Sequence, residues 1–348
     1  MRIHFTLTDL ARTRIAGRPS PLTATTFSAF RLTQRAGAPR LDDWRRLVRA
    51  GFALLDAPAP ASPRQRPWQT YFGQLTASDP AHPVPRFLRP HIGLDSLDDE
   101  LERLLGTPSR ALRADLEYVG RHRPLPGWTR DLAAGDPATV EGLAAAVRSY
   151  HRVAVAPYWR RISVALAADR AARTRQLGEG GIERVLGGLG PGVRWRPPVL
   201  EVRTVAPLAY DYHLRGRGLV LAPGAFGGYV PCDPDDEQPT LYYEVGAGAG
   251  TDAPHPFAPA AGGGAPYEGL AALIGHSRAA VLEVVADGVT TGQLARRVGL
   301  SPASASEHVG VLRRAGLVVT RRSGRWSHHS LTALGVELLL AGGGGAGG

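Results

Sequence analysis

Three short groups of residues in this sequence have types that could bind a metal or react. His328-His329 offers two imidazoles, and Asp211-x-His213 offers a carboxylate and an imidazole. Asp233-Pro234-Asp235-Asp236-Glu237 offers a run of carboxylates beside the single cysteine, Cys232. Each has a simpler account. Adjacent residues of a strand point to opposite faces, so His328 and His329 do not readily share one ion. Asp211 and His213 share a face but have no third ligand nearby in sequence. The acidic run suits a solvated loop between strands, and acidic neighbours are the wrong setting for a reactive thiolate. One cysteine also rules out an intramolecular disulfide and any multi-cysteine metal site within one chain. Enzyme signatures are missing as well: there is no G-x-S-x-G, no Walker A, no H-E-x-x-H and no phosphate-binding G-x-G-x-x-G between strand and helix. The expectation is no metal, no cofactor, no catalytic residue and no enzyme.

The charge pattern points to different chemistry. The chain has 348 residues and a formal net charge of +10, and every basic residue is arginine. Residues 269–348 hold eight arginines against four acids, a net +4. Arg313, Arg314, Arg321, Arg322 and Arg325 fall in one stretch with no acid. A basic chain can meet nucleic acid, an anionic membrane or an acidic partner. No basic amphipathic stripe with bulky apolar residues favours the membrane, and no apolar run of about 20 residues would span one. The N-terminus lacks the apolar run of a signal peptide, so a soluble, cytoplasmic protein is expected.

The elements around those arginines give them a frame. Gly246–Pro266 is 21 residues, 17 of them Gly, Ala or Pro, and only Pro302 among the prolines lies beyond it. It reads as a linker, taken as 246–267, between a domain at 1–245 and a second at 268–340. A Gly/Ala tail at 341–348 is expected to be disordered. In the second domain, Ser277 can start a helix to about Ala286 with Val281, Leu282 and Val285 inward. Thr290 or Thr291 caps a helix ending at Val298, and Gly299 supplies a turn. Ser301-Pro302 opens a helix to about Ala315. Leu317–Arg322 and Arg325–Leu331 then form a hairpin turned at Ser323-Gly324, with Trp326 packed beneath it, before a short helix Ala333–Leu340. Helix, helix, turn, helix, hairpin and helix in that order is a winged helix-turn-helix. With Leu294, Val298, Leu300, Ala305 and Leu312 inward, Ala303, Ser304, Glu307, Gly310 and Arg314 face outward.

Candidate DNA contacts follow from that arrangement. A serine hydroxyl serves several bases and a carboxylate accepts from cytosine N4, which selects Ser304 and Glu307 for base edges. Glu307 has two other readings: setting register by repelling phosphate, or pairing with an arginine. Ser301, Ala303, Ser306 and His308 complete the helix surface, His308 as a packed or phosphate-facing residue. The five arginines from Arg313 to Arg325 neutralise phosphates, which supply most of the sequence-independent affinity.

Residues 291–309 (Thr291 to Val309) and Val311-Leu312-Arg313-Arg314-Ala315-Gly316-Leu317-Val318 resemble the DNA-binding core of ArsR-type winged-helix regulators. The resemblance includes the Ser306-x-His308-Val309 element and covers about residues 270–340. It implies a homodimeric transcription regulator, a repressor, on an inverted repeat of double-stranded DNA. It departs from the metal-sensing members, which carry cysteines in the first helix of the motif in a pattern like E-L-C-V-C-D-L. Here that stretch is Gly292-Gln293-Leu294-Ala295-Arg296-Arg297. The opening Asp9-Leu10-Ala11-Arg12-Thr13-Arg14 resembles the start of an uncharacterised domain that precedes such winged helices.

In the first domain, helices are expected at Asp43–Leu55 capped by Asp42, at Ala111–Arg121 capped by Ser109, from Asp136-Pro137 to about Val155, and from Pro157 to about Leu177. Strands are expected at Val199–Val205, Tyr210–Leu214, Leu219–Leu221 and Leu241–Val245, one pair joined by a hairpin at Gly216–Gly218. The fold class is α+β, a mixed helical and small-sheet domain followed by the winged helix. The first domain is assigned a small-molecule effector or a protein partner. Two other functions stay open: an enzyme fused to a DNA-targeting winged helix, and an architectural DNA binder without a sensor.

Overall fold

The computed structural model describes residues 1–34, 39–55, 68–76, 83–90, 93–94, 96–190, 192–203, 210–227, 238–246, 255–257, 268–285, 289–323, 326–332, 334–335 and 338–339. In chain order the elements begin β1 (Arg2–His4), α1 (Leu7–Arg12), β2 (Arg14–Ile15), α2 (Pro21–Thr33), α3 (Asp42–Leu55) and α4 (Gln74–Thr76). Helices continue with α5 (Leu97–Leu105), α6 (Ser109–Gly120), α7 (Thr129–Ala134), α8 (Pro137–Ala154) and α9 (Trp159–Gly187). Five strands follow: β3 (Val193–Arg196), β4 (Val199–Val202), β5 (Asp211–His213), β6 (Val220–Gly224) and β7 (Thr240–Glu244). The last group is α10 (Glu268–Ile274), α11 (His276–Val285), β8 (Val289–Thr290), α12 (Thr291–Val298), α13 (Pro302–Arg314), β9 (Val318–Ser323) and β10 (Trp326–Leu331). The fold is α+β. No helix among the described residues is long and apolar enough to cross a membrane.

The contacts divide the chain into two compact units. One comprises residues 1–35 and 65–256, the other residues 36–64 and 257–348. The second unit therefore takes in a segment from far upstream of the Gly/Ala/Pro-rich stretch 246–266.

In the first unit, local chemistry explains most helix ends. Asp136 accepts from the Thr139 amide and Pro137 occupies the first turn of α8, an N-cap and N1 pair. Ser109 does not cap α6: it lies inside the helix, and Pro108 precedes it without a side-chain cap. The helix from Trp159 runs beyond Leu177 to Gly187, with a kink where Gly180 and Gly181 leave helical geometry.

Two small sheets lie in this unit. One has the order β3-β4-β1-β5, with β1 antiparallel to β4 and parallel to β5. The other, β2-β6-β7, is parallel throughout. Ile3, Leu200, Tyr212, Leu221, Leu241 and Tyr243 form their common core with Val185 and Leu186 of α9 and Leu189 just beyond it. The expected hairpin at Gly216–Gly218 does not form, because β5 and β6 belong to different sheets. Asp9 explains the turn instead. Its buried carboxylate accepts from the Thr6 backbone amide and hydroxyl and, at 3.0 Å, from the Gly218 amide. Gly218 has φ +73°, and a Cβ there would meet the Arg12 backbone at 2.7 Å, so glycine is required. The Asp9–Arg14 motif thus begins with a structural acid.

Candidate nucleic-acid interface

The second unit is built around α11, α12 and α13. Val281, Leu282, Val285, Leu294, Ala295, Ala305, Val309 and Leu312 are buried at its centre. Val298 and Leu300 are only half-buried. Thr290 closes a reciprocal capping box with Gln293 at the start of α12, which satisfies two otherwise unpaired donors. Gly299 ends that helix at φ +71°, a left-handed residue that turns the chain within three positions. Ser301 then caps α13, accepting from the Ser304 amide, with Pro302 in the first turn. Ala315 and Gly316 end the helix, and the Leu317 amide donates to the Leu312 carbonyl.

The wing is a three-stranded antiparallel sheet of order β8-β10-β9. The expectation of two strands misses β8, a two-residue strand at the entrance to α12 that pairs with His328 and His329. Within the wing Arg321 pairs with His328 and Arg322 with Ser327 through the backbone.

The candidate contacts distribute as follows. On α13, Ala303, Ser306 and Glu307 are exposed, as is the cap Ser301. Arg313 and Arg314 are exposed in its last turn, where cations also complement the helix dipole. These positions form one continuous outward stripe at helical spacing. Ser304 and His308 lie on its flanks, half-buried. The Ser304 hydroxyl is 2.9 Å from the Ser301 hydroxyl, which ties it to the cap. Arg321 and Arg322 belong to β9. Arg325 and the turn at Gly324 lie outside the described residues, as do Cys232, the 233–237 run and half of the expected helix 333–340. Sequence spacing overlooked Arg296 and Arg297, exposed in the last turn of α12.

The histidines of the wing separate by face. His328 is exposed, whereas His329 is 4% exposed and lies between two hydroxyls, Thr291 at 2.8 Å and Thr320 at 3.0 Å. Burial chiefly lowers its pKa, helped by His328 and Arg313. A neutral imidazole with one donor and one acceptor nitrogen suits two hydroxyl partners. In the first unit Asp211 has partners that sequence spacing does not show: His4 lies 2.7 Å and Arg2 2.8 Å from it, and the His4 and His213 rings stack at 4.4 Å. Among the described residues no group of three His, Cys, Asp or Glu side chains could hold a metal ion.

The segment recruited from upstream completes the second unit. Trp44, Leu47, Val48 and Phe52 of α3 are buried at helical spacing, the pattern of a packed amphipathic face. Helix α3 lies against β10, Trp44 meets the Phe257 ring at 6.1 Å, and Arg46 approaches Glu283 of α11 at 3.9 Å. No local sequence signal connects residues so far apart along the chain.

A family model described as a helix-turn-helix domain matches residues 277–321, from α11 into the first long wing strand. No curated protein and no solved structure matches the chain. Fold and match together define the second unit as a DNA-binding helix-turn-helix, the architecture of a transcription regulator.

Proposed function

We propose that the protein is a transcription regulator of the ArsR type that senses no metal and represses by binding an inverted-repeat operator as a homodimer. The observation that carries this reading is the outward stripe of α13, with small polar and acidic groups at its centre and Arg313 and Arg314 at its end. Small side chains let the helix enter a major groove about 12 Å wide, and terminal arginines meet phosphates. One recognition helix with so few long polar side chains discriminates weakly, since each good base contact is worth about 1–3 kcal/mol. A two-fold dimer doubles those contacts and fixes the half-site spacing. In this reading the first unit is a sensor, not an enzyme, and biases DNA binding through different ligand affinities of two conformations.

The test is selection of preferred sites from random duplex DNA by the full chain, followed by titration at several salt concentrations. The expected result is a two-fold-symmetric site bound by two copies, with affinity falling steeply with salt. Salt-insensitive binding, or a monomer on an asymmetric site, would overturn the reading.

A further inference from the structure

The first unit contains a cavity of about 240 Å³. It lies where the parallel sheet β2-β6-β7 ends. The chain leaving β2 supplies Ala16–Ser20, the end of β6 supplies Ala222–Gly224, and β7 supplies Tyr242. Helices α2 and α9 wall it with Phe27 and Leu166. Crevices at the carboxyl ends of parallel strands are the usual ligand sites of such sheets.

The chemistry of the lining is uneven. Its floor is apolar: Leu166, Ala222, Ala225 and Tyr242 are all buried, and the Phe27 ring meets the Tyr242 ring edge-to-face at 4.9 Å. The hydroxyls of the wall already donate to the protein, Ser20 to Glu100, Thr23 to the Pro90 carbonyl and Tyr242 to the Arg89 carbonyl. A polar body such as a sugar would lose its water without gaining those protons. Among the described lining residues the charged ones are Arg18 and Arg170, both exposed at the mouth, and none is acidic. Arg170 also donates to the Gly17 carbonyl, fixing the strand-exit segment. The N-terminus of α2 does not compete for an anion, because the buried Glu100 already accepts from the Leu22 amide and the Ser20 hydroxyl there.

We infer that this cavity binds a small monocarboxylate whose aliphatic or aromatic body fills the apolar floor while its carboxylate meets Arg18 and Arg170. Its volume lies below the range of about 300–1,000 Å³ of drug-sized sites, which suits an acid of about six to ten carbons. That such an acid is the effector rests on the regulator reading; that it binds does not.

The experiment is calorimetric titration of the full chain with octanoate and phenylacetate, against octanamide, phenylacetamide and phenethylamine. Both acids are expected to bind, with the amides at least about tenfold weaker and the amine not binding. Arg18→Gln and Arg170→Gln each reduce acid affinity toward that of the amide. Ala24→Phe fills the cavity and abolishes binding; Ala167→Phe serves the same purpose if Ala24→Phe does not fold. Amides that bind as well as acids, no binding of either acid at millimolar concentration, or full binding by a folded filled-cavity variant would each overturn the site. Acid binding that leaves DNA affinity unchanged upholds the site and overturns only its role in sensing.

Discussion

His329 in the second long wing strand and Thr291 in the first turn of the helix-turn-helix approach to 2.8 Å through imidazole Nε2 and hydroxyl. The other ring nitrogen meets Thr320 on the neighbouring strand. One buried side chain thereby ties the wing to the helix that supports the recognition helix.

Removing that tie leaves two hydroxyls without their partner. His329→Ala is expected to destabilise the second unit by about 1–3 kcal/mol and to weaken binding to all DNA sequences alike. The pH dependence has a definite sign. The folded-state pKa of His329 lies below its ordinary 6.5, so the unfolded chain takes up the proton first. Its stabilisation is complete above pH 6.5 and is lost as acid approaches the lowered pKa. Denaturant titrations of this unit between pH 7.5 and 5 should show that loss, and His329→Gln should flatten it. An unchanged slope in the glutamine variant would refute the assignment.

A second buried histidine is expected to weaken the first unit in acid. Burial depresses the pKa of His151 to about 4 against an opposing effect of Asp98, and Nδ1 lies 2.8 Å from the Thr25 hydroxyl. Stability should therefore fall by about 2–3 kcal/mol between pH 6.5 and 4, after allowance for the partly exposed ring. Unfolding of wild type and His151→Gln over that range measures it; parallel curves would count against His151 as the source.

Helix α3 should matter to the stability of the second unit despite its place in the sequence. Trp44→Ala removes a side chain that is 2% exposed and should cost the second unit about 3–5 kcal/mol. A fragment beginning at residue 268 lacks Trp44, Leu47, Val48 and Phe52, and should unfold at lower denaturant than the same unit in the whole chain. Equal midpoints would show that α3 contributes no stability there.

Arginines and small polar residues of α13 should separate by their salt response. Arg313→Ala or Arg314→Ala is expected to weaken binding to every sequence and flatten the salt slope by about one. Ser306→Ala should change preference among sequences and leave that slope in place. Ser304→Ala should do less, because its hydroxyl is held by Ser301. Slopes measured on one preferred and one scrambled duplex distinguish these outcomes.

Helices α12 and α13 were legible because each is punctuated locally. The Thr290 and Ser301 caps, Pro302, and the left-handed glycines 299 and 316 act over three or four residues, within reach of sequence reasoning. The alternation in 317–331 likewise marked two strands. Tertiary structure alone decided what depends on distant partners. Strands of two or three residues such as β1, β2 and β8 have too little pattern to announce themselves and exist because distant strands pair with them. The turn at Gly216–Gly218 looks like a hairpin in sequence, yet Asp9 and the pairing of β5 with β1 send its two sides into different sheets. The cavity combines α2, the ends of β6 and β7, and α9, none of which is distinctive alone. The α3 helix was legible from its start near Asp42, but a helix start says nothing of what the helix covers. Which core it covers is settled by packing between segments more than 200 residues apart.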